Sequence, residues 1–437
     1  MTAYLSEAEY DTYIEKNAQW NFWVNVLDLA FYNLAMSFIY GSTVLSLYAS
    51  YLTDSAVLIG LLPAVQSVMF LLPQMLLVSH AQRAPRKKSL LLQISIFERL
   101  PYALVAAGIF FWPGAPRSVA YAILMFSMIV ATGAGGVGAP AWKAMLAKVI
   151  PIRRRGTMFG LSHAVGGVLG IGGAAISRHV LATYGYPWSF GISFALCFAS
   201  QIISYIAVSL VREPARDPHA RPSSALQLYR AIPGLLKSNP NFARYLLGTC
   251  LLTFGTMGTA LYIVYGRRVL GITDAVAGNL TMVALIGQSI SAPILGRVAD
   301  RRGNKWLLEL APIINAAAIL LMAVAANELW LYPTFVLVNV ALQASSIAGM
   351  GITMEFSTAD DVPAFTAMAG TITGIPTLLA PLLGGALVDW GGFPVLFGVG
   401  LAFCVAGYLI MRLAVQEPRH HQPGSIERPV VAAQGEN

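Results

Sequence analysis

The chain has 437 residues, 57% of them hydrophobic and only 11% charged, with a mean hydropathy of +0.65. Soluble domains carry about 25% charged residues, so these values exclude a soluble enzyme and place most of the mass in a bilayer. The net charge of +8 then belongs to cationic loops facing the cytoplasm rather than to a nucleic-acid surface.

The first 21 residues are acidic and polar, without the basic start and short apolar core of a cleavable signal peptide. Ser6 and Glu9 have capping-box spacing, which predicts a short helix on the membrane surface. Apolar windows then predict six spanning helices at about 22–49, 55–79, 89–113, 118–143, 157–180 and 188–211. After a polar stretch, six more fall at about 244–266, 275–299, 306–326, 330–354, 365–388 and 394–414. Cys197, Cys250 and Cys404 all lie inside these windows, with no spacing that suits a disulfide framework or a metal site.

Cations fix the sidedness. With the N-terminus in the cytoplasm, the even loops hold Arg83, Arg86, Lys87 and Lys88, then Lys148 and Arg153 to Arg155, then the segment Arg212 to Arg244, then Arg301, Arg302 and Lys305. The odd loops hold little beyond Arg117, Arg178, Arg267 and Arg268. This positive-inside pattern puts both termini in the cytoplasm of a cell that carries the chain in its plasma membrane. The segment REPARDPHARPSSALQLYRAIPGLLKSNPNFAR reads as a linker with a short surface helix.

The halves repeat. GYPWSFGISFALCF (Gly185 to Phe198) and GFPVLFGVGLAFCV (Gly392 to Val405) share Gly, Pro, Phe, Gly, Ala and Cys in register, and VREP at Val211 answers VQEP at Val415. Such duplication favours a transporter built about a pseudo-two-fold axis. The expected organisation is an N-terminal segment of roughly 1–21, a bundle at 22–211, a linker at 212–243, a second bundle at 244–414 and a tail at 415–437.

Against this background GRVADRRGNK resembles the loop signature of the major facilitator superfamily, Gly-x-x-x-Asp-Arg-x-Gly-x-Lys, on Gly296, Asp300, Arg301, Gly303 and Lys305. PAWKAMLAKVIPIRRRGTMFG (Pro140 to Gly160) resembles that family's connection between helices 4 and 5. The resemblance implies an all-α membrane protein, two six-helix bundles rocking about a cavity lined by helices 1, 4, 7 and 10, and a gradient as energy source. No Gly-x-x-x-x-Gly-Lys-Ser/Thr phosphate loop occurs in the chain, which agrees with that source. Two marks of the family's proton-coupled drug exporters are missing, the proline of the helix 5 signature and an arginine within helix 4. Import and export both stay open.

An ionisable group at mid-membrane costs on the order of 3 kcal/mol, so those that remain are functional candidates. Asp28 shares a helix face with Asn25 and Tyr32, while Glu98 and Arg99 lie in helix 3 just before Pro101, at a depth where Arg99 can reach Asp28. One reading is an ionic cluster that ties helices 1 and 3 together; the other is that Asp28 takes up and releases a proton as the cavity alternates. Among the neutral polar residues Asn33, Gln66, Gln288, Asn339 and Gln343, the family's cavity geometry favours Asn33, Asn339 and Gln343. Tyr262 and Tyr265 suit an entrance or an interfacial anchor. Gly166 and Gly170 have the spacing of close helix packing.

Overlaying the inner ends of helices 4 and 10 through Pro151 and Pro363 sets Lys143 opposite Glu355, and Arg153 to Arg155 opposite Asp360 and Asp361. Opposite charges on parting surfaces predict a cytoplasmic gate centred on Lys143 and Glu355; the plainer reading has Glu355 neutralising Arg301 or Arg302 in its own bundle. In the first half Gln82 stands where Asp300 stands in the second, so a conformational latch at Asp300 has no counterpart. The reading is a secondary transporter of a small organic solute, coupled to protons, working as a monomer in the lipid bilayer without cofactor, metal or nucleic acid. The alternatives are a membrane-embedded enzyme, whose only paired carboxylates are Asp360 and Asp361, and a lipid flippase or sensor on the same fold.

Overall fold

The computed structural model describes residues 7–71, 86–215, 234, 236–356 and 362–417. The first half comprises α1 (Glu7–Phe38), a π turn (Gly41–Leu45), α2 (Ser46–Leu52), α3 (Ala56–Leu71), α4 (Lys87–Phe111), α5 (Arg117–Val149), α6 (Ile152–Thr183) and α7 (Trp188–Ser209). The second comprises α8 (Pro240–Gly255), a 3-10 turn (Thr259–Leu261), α9 (Tyr262–Val269), α10 (Asp274–Arg302), α11 (Asn304–Ala323), α12 (Leu331–Glu355) and α13 (Val362–Leu413). Among the described residues ten helical stretches are long and apolar enough to cross a membrane. One of them, in α13, supplies two crossings, because Gly392 at φ 76° breaks it; the shorter apolar helix at Ala56–Phe70 completes twelve.

Helix α1 absorbs the surface helix expected near Glu9. No glycine or proline interrupts Glu7–Phe38, so nothing stops the helix at the membrane boundary. The expected cap, Ser6, lies outside the described residues, as does most of the linker. Helix α1 does stop in mid-bundle, where Tyr40 turns extended (φ −54°, ψ 126°) ahead of the π turn. The second half repeats the break between α8 and α9, at Thr256 to Leu261. Crossings 1 and 7 are thus discontinuous at matching places, as in transporters whose helix breaks border a cargo site.

The Glu-Pro repeats have a structural job. Glu213 accepts from the first two backbone N–H groups of α4, Lys87 at 2.9 Å and Lys88 at 2.7 Å, and pairs with Lys148 Nζ at 3.0 Å. It supplies the acceptor that a helix N-terminus lacks. In the second half Glu417 lies against Gly303, immediately before α11.

Among the described residues three apolar cores organise the molecule. One holds residues from both halves, among them Tyr48, Phe190 and Phe194 with Tyr262, Phe397 and Val264. The others are private: Phe22, Met145 and Val208 in the first half, Phe242, Leu307 and Phe365 in the second. The shared core lies toward the face of the α2–α3, α7 and α9–α10 turns, here called the far face. The private cores lie toward the face where α1 begins, here called the terminus face.

Candidate functional site

Two features could carry function: a charged cluster inside the first bundle, and a cavity between the bundles. In the cluster, Arg99 Nε donates to the Gln201 carbonyl at 2.9 Å, Nη1 to the Ser95 carbonyl at 3.0 Å and to Glu98 Oε2 at 3.2 Å, and Nη2 to Ser204 Oγ at 3.1 Å. Ser204 in turn donates to Asp28 Oδ1 at 2.7 Å, and Trp142 Nε1 reaches Oδ2 at 3.2 Å. Arg99 therefore meets Asp28 through Ser204, a link the spacing of charges alone does not reveal. Helices α1, α4, α5 and α7 all contribute.

The two carboxylates differ in access. Asp28 is 5% exposed and Arg99 4%, whereas the Glu98 side chain keeps 16% of its surface. Glu98 turns toward Gly135 of α5, where a Cβ would sit 3.1 Å from Oε1. One guanidinium thus serves two carboxylates in a dry setting, and full ionisation of all three leaves a net negative charge that burial opposes. A proton on one carboxyl removes it. Counted from Lys87 and Asn304, which open α4 and α11, Asn315 holds the place of Glu98 and donates to the Gly255 carbonyl at 2.9 Å. At these matching places the first bundle carries a charge and the second a neutral amide.

The cavity, about 240 Å³, opens beside the two helix breaks and is lined from both bundles, by Gly41, Ser42 and Ser67 on one side and Thr253, Thr256 and Thr377 on the other. Near it Tyr40 donates to Asn339 Oδ1 at 2.8 Å across the bundles. Gln343 accepts from Gln288 at 3.2 Å, within the second bundle. Asn33 faces away from such a role: its amide binds the Leu29 carbonyl at 3.0 Å and packs on Gly166, where a Cβ would meet it at 2.6 Å. Gln66 reaches only Met128 Sδ, at 3.6 Å. Tyr262 and Tyr265 are buried against Phe393 and Phe397.

Bonds between the bundles gather at the far face, on residues that the sequence pattern did not single out. Tyr51 donates to Asp274 Oδ2 at 2.6 Å, Arg267 donates to Ser50 at 2.7 Å and lies 3.3 Å over the Tyr51 ring, and Arg268 donates to the Asp54 carbonyl at 2.8 Å. Thr43 and Thr281 share a short bond. Asp389 accepts from Ser55 Oγ, Ala56 N and Val57 N. Only the presence of Arg267 and Arg268 among cation-poor odd loops hinted at this.

At the terminus face Glu355 accepts from Asn304 at 2.7 Å, and Lys143 is exposed. No ion pair joins them among the described residues. Asp360 and Asp361 lie outside the described residues, with Gln82 and Arg83, as do the side chains of Arg153, Arg155 and Asp300. Helix α10 runs through Arg301 and Arg302, Gly303 (φ 94°) makes the entire turn, and α11 starts at Asn304. Lys305 pairs with Glu309 at 3.3 Å. Gly296 sits in mid-helix with open space beside it.

The description of the Major Facilitator Superfamily matches residues 26–266 and 246–434. The chain belongs to the Major Facilitator Superfamily. Monocarboxylate transporter 6 of Mus musculus is 23% identical over 257 residues, 54% of this chain and 55% of that one. Solute carrier family 67 member A1 of Homo sapiens is 30% identical over 131 residues, 29% of this chain and 31% of that one. This superfamily member therefore spans about half, or less, of the curated relatives it matches. In fold it is similar to the D-xylose-proton symporter (TM-score 0.70, 14% identity, 92% of this chain and 99% of that one) and the nucleoside transporter NupG (TM-score 0.65, 14% identity, 92% and 100%). Membership in a superfamily of transporters removes the membrane-enzyme alternative.

Proposed function

We propose that this superfamily member is a secondary active transporter that moves a small organic solute by alternating access, with protons as the coupling ion. The observation that carries the reading is the division of the cores: one shared by both bundles at the far face, and two private ones at the terminus face. Bundles joined at one end around a central cavity can rock, and rocking exchanges which end is sealed. The cation-rich loops support a terminus face that lies in the cytoplasm, with the chain in a plasma membrane. The named activities of the relatives, on monocarboxylates, nucleosides and D-xylose, agree with a small organic cargo.

Proton coupling rests on Asp28, Glu98 and Arg99. Two carboxyls share one guanidinium inside the bundle, and a shift of the bundle that alters the access of Glu98 offers a route by which a proton is taken up and released. The test uses purified protein in liposomes, with a cargo found by thermal-shift screening. Asp28→Asn should abolish uptake driven by a pH gradient and leave exchange of labelled for unlabelled cargo intact. Equal loss of both would assign the cluster to structure alone.

A further inference from the structure

We infer that the cavity between the helix breaks takes an uncharged cargo rich in hydrogen-bond donors, of the polyol, sugar or nucleoside type, and not a carboxylate or an amine. The inference rests on the transport reading above and deepens it. Among the described residues no charged side chain lines the cavity. Three charges at the far-face interface are already engaged: Arg267 by Ser50 and Tyr51, Asp274 by Tyr51, and Asp389 by the start of α3. The cluster of Asp28, Glu98 and Arg99 is closed upon itself within one bundle. A fixed charge entering the cavity would lose its water and find no counter-charge among the described residues of the wall.

The polar groups of the wall are biased toward accepting. Six hydroxyl side chains line it, and five donate to carbonyls of their own helices: Ser67 to Pro63 at 2.9 Å, Thr253 to Thr249 at 2.9 Å, Thr256 to Thr253 at 2.8 Å, Thr259 to Thr256 at 2.8 Å and Thr377 to Thr373 at 2.7 Å. A hydroxyl that has spent its proton offers only lone pairs. Pro381, which also lines the cavity, carries no N–H and so leaves the carbonyl of Thr377, another lining residue, without its helical donor. The cargo must bring the hydrogens. Carboxylates bring none, and ammonium groups bring them with a charge that nothing here balances.

Purified full-length protein is tested by thermal shift against three sets at equal concentration: hexoses and nucleosides, short monocarboxylates, and primary and quaternary amines. The expected result is stabilisation by members of the first set alone, with binding weakened roughly tenfold in Thr256→Val and Thr377→Val, which keep shape and remove an acceptor. Both variants should elute like the unaltered protein on size exclusion. A monocarboxylate or an amine as the strongest stabiliser overturns the inference, and so does unchanged affinity for the uncharged ligand in both valine variants. Counterflow in liposomes separates the two readings. Counterflow of a charged solute keeps transport and sinks the uncharged cargo; binding of an uncharged ligand without counterflow keeps the site and sinks transport.

Discussion

The carboxylate of Asp389, at the far end of the first stretch of α13, accepts from the backbone N–H of Ala56, the first residue of α3 in the other bundle, at 2.8 Å. The same carboxylate takes Val57 N at 3.1 Å and Ser55 Oγ at 2.9 Å. A helix of one bundle is therefore capped by an acid of the other. The backbones come this close because Gly385 and Gly60 face Ala56 and Pro381 with no room for a Cβ. When the far face opens, the first turn of α3 loses its acceptor, which is worth about 1 kcal/mol for a helix cap.

Asp389→Ala should accordingly favour the state open at the far face by roughly fivefold. Thr281→Cys is a suitable reporter, since Thr281 is fully buried against Thr43 between the bundles, and Cys197, Cys250 and Cys404 lie buried or half-buried. A membrane-impermeant maleimide should label Thr281→Cys several-fold faster when Asp389→Ala is also present. Equal labelling rates would mean that the cap adds nothing to closure.

The two glycines of GRVADRRGNK should respond oppositely to alanine. Gly303 forms the turn between α10 and α11 alone, at φ 94° and ψ 157°, and a Cβ there would lie 2.9 Å from the Glu417 carboxylate. Gly303→Ala should cost about 1–3 kcal/mol and lower the melting temperature of the purified protein. Gly296 is helical with open space around it, so Gly296→Ala should leave stability unchanged or raise it by about 0.5–1 kcal/mol. Equal melting temperatures for the two variants would show that the turn tolerates a side chain.

The twelve crossings were legible because apolar windows and loop charges report on the bilayer, which acts on every residue of a span alike. Breaks within crossings 1 and 7 were not, because the Gly, Ser and Thr residues at Gly41 to Thr43 and at Gly255 to Thr259 carry no charge and do not end an apolar window. Asp28, Glu98 and Arg99 stood out because charge is rare in a span, yet Ser204, which joins Arg99 to Asp28, comes from a helix that only folding brings alongside. Asp389 and Asp274 sit at helix ends, where acids are ordinary, so their partners across the bundle interface had no sequence signal. Glu213 was visible only as half of a repeated Glu-Pro.

Unequal access should separate the two acids of the cluster chemically. Glu98 retains 16% of its side-chain surface and Asp28 is 5% exposed behind Ser204 and Trp142. A lipid-soluble carbodiimide, which attacks protonated carboxyls, should modify Glu98 several-fold faster than Asp28, as read by peptide mass spectrometry. Glu98→Gln should abolish the modification and, by leaving Arg99 to Asp28 alone, keep the fold. Preferential modification of Asp28 would place the accessible carboxyl in α1 and reverse the assignment.

Lys143 and Glu355 are apart while the bundles share a core only at the far face. Glu355 accepts from Asn304 at 2.7 Å, within its own bundle, Lys143 is exposed, and among the described residues no ion pair joins the two. Sealing the terminus face would bring the inner ends of α5 and α12 together, and opposite charges at the matching places of a pseudo-symmetric pair would then attract. Lys143→Glu and Glu355→Lys each place like charges there and should slow transport several-fold, whereas the double reversal should return most of the rate. Raising the salt concentration should shrink the difference between single and double variants, because a pair at the water boundary is screened. A double variant no faster than either single one would show that the two residues never meet.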